Sequence, residues 1–253
     1  MLLLWAARAW GAPAPTATAA FDLYISKVEA RLSQEHASAN GYLAPEDFTR
    51  LQLGELIVEE LTPPGGKDLD GALLHDWRGT AFAKGVTAAD FERLMRDYGD
   101  YPKIFAPQVM QARILAQQGD HYQVTMRVKQ KHFLTVVMDT TYDVTFTRAE
   151  SSKQGVQRGT SISRSTAVKE IDAPGTARER ALGPNEEHGF LWRMNTYWSY
   201  EERDGGLYMQ IESITLTRSV PAGLGWVIDP FIESVPRDSL EFTLRSACNA
   251  LRR

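Results

Sequence analysis

Residues Gly189 to Arg218 read GFLWRMNTYWSYEERDGGLYMQIESITLTR, and this stretch decides the fold. Phe190, Trp192, Met194, Thr196, Trp198 and Tyr200 alternate with Leu191, Arg193, Asn195, Tyr197, Ser199 and Glu201. A period of two with aromatic enrichment is the signature of a strand. Asp204-Gly205-Gly206 supplies residues that tolerate positive φ where the chain must reverse. A second alternation follows, with Leu207, Met209, Ile211, Ser213 and Thr215 on one side and Tyr208, Gln210, Glu212, Ile214 and Leu216 on the other. The stretch is therefore a long antiparallel hairpin. A reversal centred on Asp204-Gly205 pairs Trp198 with Ile211, Thr196 with Ser213 and Met194 with Thr215. That register predicts one surface carrying Trp192, Met194, Trp198, Met209 and Ile211, and an opposite one carrying Arg193, Asn195, Tyr197 and Glu212.

An apolar sheet face needs a cover, and the next segment supplies one. SVPAGLGWVIDPF is too rich in Pro and Gly to continue the strand. Asp229-Pro230 reads as a helix start, with Pro236 as a kink or restart. Leu240, Leu244, Ala247, Cys248 and Leu251 then form one helical stripe.

Upstream, Phe21, Tyr24, Ile25, Val28 and Leu32 predict a helix over Phe21 to Ser33 packed on the body. Leu56 to Leu61 is a short strand, ended by Pro63-Pro64-Gly65-Gly66. Ala72 to Ala83 is a longer one. Thr87-Ala88-Ala89-Asp90 resembles a capping box ahead of a short helix bearing Phe91, Leu94, Met95 and Tyr98. Val109 to Leu115, Tyr122 to Val128 and Phe133 to Thr147 are strands, and Arg158 to Ile171 is a weaker one rich in Ser and Thr. Asp172 to His188 is a charged loop. Consecutive strands tend to be neighbours, so the fold class is α+β: a curved antiparallel sheet wrapped around a long C-terminal helix, with an extra N-terminal helix and strand.

In order and in certain residues the chain resembles the START-like, helix-grip superfamily of polyketide-cyclase and lipid-transfer type (SRPBCC). Three stretches carry the likeness: WRGTAFAKGVTAADFERLMRDYGDYPKIFAP, the GFLWRMNTYWSYEERDGGLYMQIES hairpin, and VPRDSLEFTLRSACNAL. They span roughly Leu73 to Arg253. The resemblance implies a hydrophobic cavity between sheet and helix that holds a lipid or other apolar molecule, and no single ligand. Element order binds this superfamily more than invariant residues do, and its members include carriers and cyclases, so the fold leaves function open.

At 253 residues the chain can bury a substantial core. Its net charge of −4 gives no electrostatic reason to expect nucleic acid, and no run approaches a membrane span. Residues 1–20 read as a signal peptide, because Leu2 to Trp10 is mostly apolar and both Ala12-Pro13-Ala14 and Ala17-Thr18-Ala19 resemble cleavage sites. Against this, no Lys or Arg precedes the run and Arg8 interrupts it. The expected division is a leader over 1–20, a helical extension over 21–71 and the helix-grip domain over 72–253, in a secreted or periplasmic protein.

The five histidines at 36, 75, 121, 132 and 188 lack metal-site spacing, and no nucleophile-elbow or phosphate-loop pattern occurs. No catalytic residue, metal or cofactor is expected. Cys248, the only cysteine, reads as a buried small hydrophobe. Arg193 and Glu212 fall on one face, either as a solvent-side cross-strand pair or, if bulges re-aim the strands, as a polar anchor in a cavity. The expected ligand wall comprises Tyr122, Met126, Tyr142, Phe146, Trp192, Met194, Trp198, Met209, Ile211, Ser213 and Phe231, with Thr196 and Thr215 offering further uncharged hydroxyls. The expected function is an exported binder or carrier of a hydrophobic, lipid-like molecule. The alternative is a cyclase-like or hydrolytic enzyme using polar groups of the same cavity, and a filled cavity would instead mean an interaction module.

Overall fold

A computed structural model describes residues 11–38, 41–43, 45, 47–62, 69–131, 135–149, 156–219 and 225–252. The hairpin forms β8 (Arg193–Arg203) and β9 (Gly206–Arg218), with Trp198 opposite Ile211, Thr196 opposite Ser213 and Met194 opposite Thr215, in the expected register. Asp204 (φ 56°) and Gly205 (φ 72°) make the reversal, both in the left-handed region that such a turn demands.

Around this hairpin the remaining strands assemble antiparallel. They are β1 (Ile57–Glu60), β2 (Ala72–Lys84), β3 (Val109–Gln118), β4 (His121–Lys131), β5 (Thr135–Ala149) and β6 (Arg158–Asp172). The spatial order is β1-β2-β9-β8-β6-β5-β4-β3. The last strand thus returns to pair with the first long one, β2, along thirteen residues. The loop after β6 contains a short β7 (Arg180–Ala181) that pairs back onto β6, which the sequence reading left as loop.

The inner face of the sheet grips α5 (Gly225–Leu251). The helix begins four residues before Asp229 and passes through Pro230 and Pro236 without a restart. An interior proline removes one backbone hydrogen bond and crowds the preceding turn. Burial of the stripe further along compensates: Leu240, Leu244, Ala247 and Cys248 are all buried in the main core. That core is completed by α3 (Ala88–Arg96), which starts at a capping box of Thr87 and Asp90, and by α4 (Tyr101–Ile104). Gly79 on β2 marks the tightest contact, since a Cβ there would lie 2.2 Å from Leu240 Cδ2 and 2.5 Å from Leu244 Cδ1.

The outer face is also covered. Helix α1 (Pro15–Ala37) lays Ala17, Phe21, Ile25, Val28 and Leu32 on Ala72, Leu74, Tyr197, Ile214 and Leu216. Full burial of each large side chain contributes about 1.5–3 kcal/mol. The helix begins earlier than the apolar spacing suggests, so Ala19 and Ala20 lie within its opening turns. Residues 1–10 lie outside the described residues. A short α2 (Phe48–Gln52), capped by Asp47, packs Leu51 against Phe82 and Tyr208. No helix among the described residues is long and apolar enough to cross a membrane.

Two expected placements change under this second cover. Trp192 is not on the Trp198 surface. Strand β8 begins only at Arg193, so the alternation does not reach back to Trp192. Its ring packs with the α1 cluster, and its Nε1 donates to the Gly11 carbonyl at 3.0 Å. Arg193 and Glu212 are neither a solvent pair nor a cavity anchor. Arg193 reaches Asp22 of α1 at 3.4 Å, while Glu212 is 2% exposed beneath the helix.

Glu212 accepts from Arg78 Nε and Nη2 at 3.2 and 3.0 Å and from Arg31 of α1. Arg31 also holds Glu35 at 3.0 Å. Beside them Asp76, 1% exposed, accepts from the Tyr24 hydroxyl at 2.8 Å. Burial, followed by the charge of Glu212, pushes the Asp76 carboxyl up to about 7, against the pull of Tyr24, Arg31 and Arg78. The folded protein therefore holds this proton at pH values where the unfolded chain has released it. The contribution is fully present below the ordinary aspartate range and is lost as pH rises through about 7. Asp76→Asn should accordingly gain stability relative to wild type between pH 5 and pH 8, read as the difference in urea midpoints; a difference that stays constant with pH would refute the assignment. At either pH, Glu212→Gln should be destabilising by about 3–5 kcal/mol, because it strands buried arginine charge.

Candidate functional site: the inner face of the sheet

Cross-strand pairing arranges the inner face in rows. The first row runs Gly79, Ile211, Trp198, Ser161, Phe146. It is filled. Phe91 of α3 meets Trp198 edge-on at 5.3 Å and Tyr200 at 5.0 Å, and Leu240 and Leu244 seat on Gly79. Met209, one pairing step beyond, is fully buried in the same core.

The second row is Trp77, Ser213, Thr196, Ser163, Val144, Tyr122, and the third begins His75, Thr215, Met194. The third continues through Ser165, whose hydroxyl accepts from the Met194 amide at 2.9 Å, to Tyr142 and Val124. These rows lie towards the N-terminal end of α5, whose side chains are described from residue 235 onward. Trp77, Ser213, Ser163, Met194 and the neighbouring Met126 are only half-buried, although they sit on the concave side of the sheet.

The chemistry of the two rows is apolar and hydroxylic. Among the described residues they hold no Asp, Glu, Lys or Arg. The Tyr142 hydroxyl donates to Met194 Sδ at 3.7 Å, and burial holds that phenol above its ordinary range. Trp77 Nε1 and Thr215 Oγ1 are buried without a hydrogen-bond partner. Each such group costs about 1–3 kcal/mol. No cluster among the described residues could hold a metal ion.

Further along the same face, Glu170 is 3% exposed and wholly engaged. It accepts from the His188 amide and Nδ1 at 2.9 and 2.8 Å, and from the Gly189 and Phe190 amides at 2.8 and 3.0 Å. This carboxylate ties the end of the 172–188 loop to the sheet. Arg127 clamps the loop's middle through Glu179 at 2.6 Å.

The structure brings together most of the expected wall. Tyr122, Met126, Tyr142, Phe146, Met194, Trp198, Met209, Ile211 and Ser213 share the inner face. Phe146, Trp198, Met209 and Ile211 belong to its filled part. Trp192 lies on the other face, and the Phe231 side chain and residues 221–224 lie outside the described residues. Sequence reasoning left out His75, Trp77, Ser163 and Ser165. The alternation Leu73, His75, Trp77, Gly79, Ala81 was there to be used, but both faces of β2 carry apolar and polar residues, so the alternation alone does not tell inner from outer.

No family model matches the chain, and no curated protein does. Among solved structures, the STAR-related lipid transfer protein from Xanthomonas axonopodis is 16% identical, with 74% of this chain and 97% of that one aligned at a TM-score of 0.45. The Zhui aromatase/cyclase from Streptomyces sp. R1128 is 14% identical over 71% of this chain and 94% of that one, at 0.46. Human STARD10 is 8% identical over 84% and 83%, at 0.42. By its own sheet order and gripped C-terminal helix, the fold is START-like, of the helix-grip kind.

Proposed function

We propose that this protein binds or carries a hydrophobic small molecule between the sheet and the N-terminal half of α5. One observation carries the reading: the inner face changes from filled to half-covered within a single strand spacing. In the first row every position except the glycine bears a side chain packed in the core. In the next two rows Trp77, Ser163, Met194 and Ser213, and Met126 beside them, keep surface that no described side chain covers. A concave, mostly apolar surface with a few polar groups is the usual form of a small-molecule site. Met126 and Met194 suit it, since methionine adapts to irregular apolar shapes. The 172–188 loop, tied to the inner face through Glu170, is the proposed entry.

Purified protein examined by native mass spectrometry should carry a releasable nonpolar molecule, and emptied protein should take up diphenylhexatriene with a rise in its fluorescence. A bare chain mass together with no dye uptake would contradict the proposal. We further propose export, on the apolar run Leu2 to Trp10. N-terminal sequencing of protein from its native host should show that run removed, and an intact Met1 would count against export.

A further inference from the structure

Resting on the binder reading above, we infer that the bound molecule is uncharged and presents an oxygen acceptor to Trp77 Nε1 and Thr215 Oγ1. The two groups sit on the adjacent strands β2 and β9, offset by one pairing step, on the half-covered part of the inner face. Both atoms are buried, and neither has a hydrogen-bond partner. An indole N–H is a donor only, so whatever satisfies it must accept: a carbonyl, ester, ether or alcohol oxygen. Around these two atoms lie the hydroxyls of Ser213, Thr196 and Ser163, which can donate or accept.

Charge selects further. A carboxylate or phosphate drawn into this surface would lose its water, and desolvating an unpaired anion is costly. The described residues of the two rows include no Lys or Arg to replace that water, and His75 is their only group able to carry a positive charge. The class this surface takes is therefore a neutral, oxygen-bearing apolar molecule such as a long-chain alcohol, ester or ketone, in preference to a fatty-acid anion.

The test is displacement of diphenylhexatriene from the full chain at pH 8 by three probes of one hydrocarbon length: oleyl alcohol, methyl oleate and oleate. The two neutral probes should displace the dye at concentrations at least about tenfold below that needed for oleate, the least that desolvating an anion with no counter-charge should cost. Thr215→Val and Trp77→Phe remove the hydroxyl and the indole N–H. Each should weaken the neutral probes by about 5- to 10-fold more than it weakens the dye, a pure hydrocarbon that accepts no hydrogen bond. Thr215→Val replaces an unpartnered buried hydroxyl with a methyl, so its melting midpoint without ligand should stay level or rise; a fall would mean the hydroxyl has a partner in the protein, and would overturn the assignment. Oleate binding as tightly as oleyl alcohol, or neutral-probe affinities unmoved in both variants, would overturn it too while leaving the binder reading intact. Failure of wild-type protein to take up the dye would defeat the binder reading and this inference with it.

Discussion

Gly79 sets how the helix meets the sheet. With no Cβ at that point, Leu240 and Leu244 come down onto the backbone of β2, at distances a methyl group could not share. Everything around the contact is packed to match: Phe91 fills the angle between α3 and Trp198, and Tyr200 anchors its hydroxyl on Glu92 at 2.7 Å. Towards the N-terminal end of α5 the inner-face side chains are smaller and hydroxylic, and several keep accessible surface. The close contact at Gly79 thus stands beside a stretch of the inner face whose side chains are in part only half-buried.

The outer face explains why so long a sheet holds its shape. Helix α1 seals its central strands with an apolar stripe and a charged patch side by side. A buried ion group of this sort adds little net stability compared with apolar packing, but removing one member is severe. It also fixes position, since Glu212 is satisfied only when Arg31 of the helix and Arg78 of the sheet are both in place. The hairpin that forms part of the inner face is therefore held from behind.

Much of this was legible in the sequence because the hairpin has a clean period of two and a turn whose chemistry fixes its register. Trp198 opposite Ile211 followed from Asp204-Gly205 alone. The C-terminal stripe from Leu240 was equally plain, since tertiary burial and helical spacing agree there. Other features were hidden for physical reasons. Glu212 and Arg193 could be read only as a solvent-face pair or a cavity anchor, because the cover that buries Glu212 is α1, whose Arg31 lies 181 positions away along the chain. Trp192 was misplaced because alternation has no meaning outside strand backbone. Ser161, Ser163 and Ser165 carried no signal as a site, since serines in a strand are usually its exposed side, whereas here two of the three are buried.

The central claim is that space exists over the second row, and Ser213 is the place to test it. Ser213→Phe puts an aromatic ring where a hydroxymethyl stood, midway between Trp77 and Thr196. If the surface is open, the ring occupies the cavity, the denaturation midpoint holds or rises, and dye uptake is abolished. If the row is as closely packed as the first, the added volume must displace its neighbours, at a cost of about 1–3 kcal/mol. A Ser213→Phe protein that is destabilised on that scale, from a wild type that takes up no dye, would contradict the account.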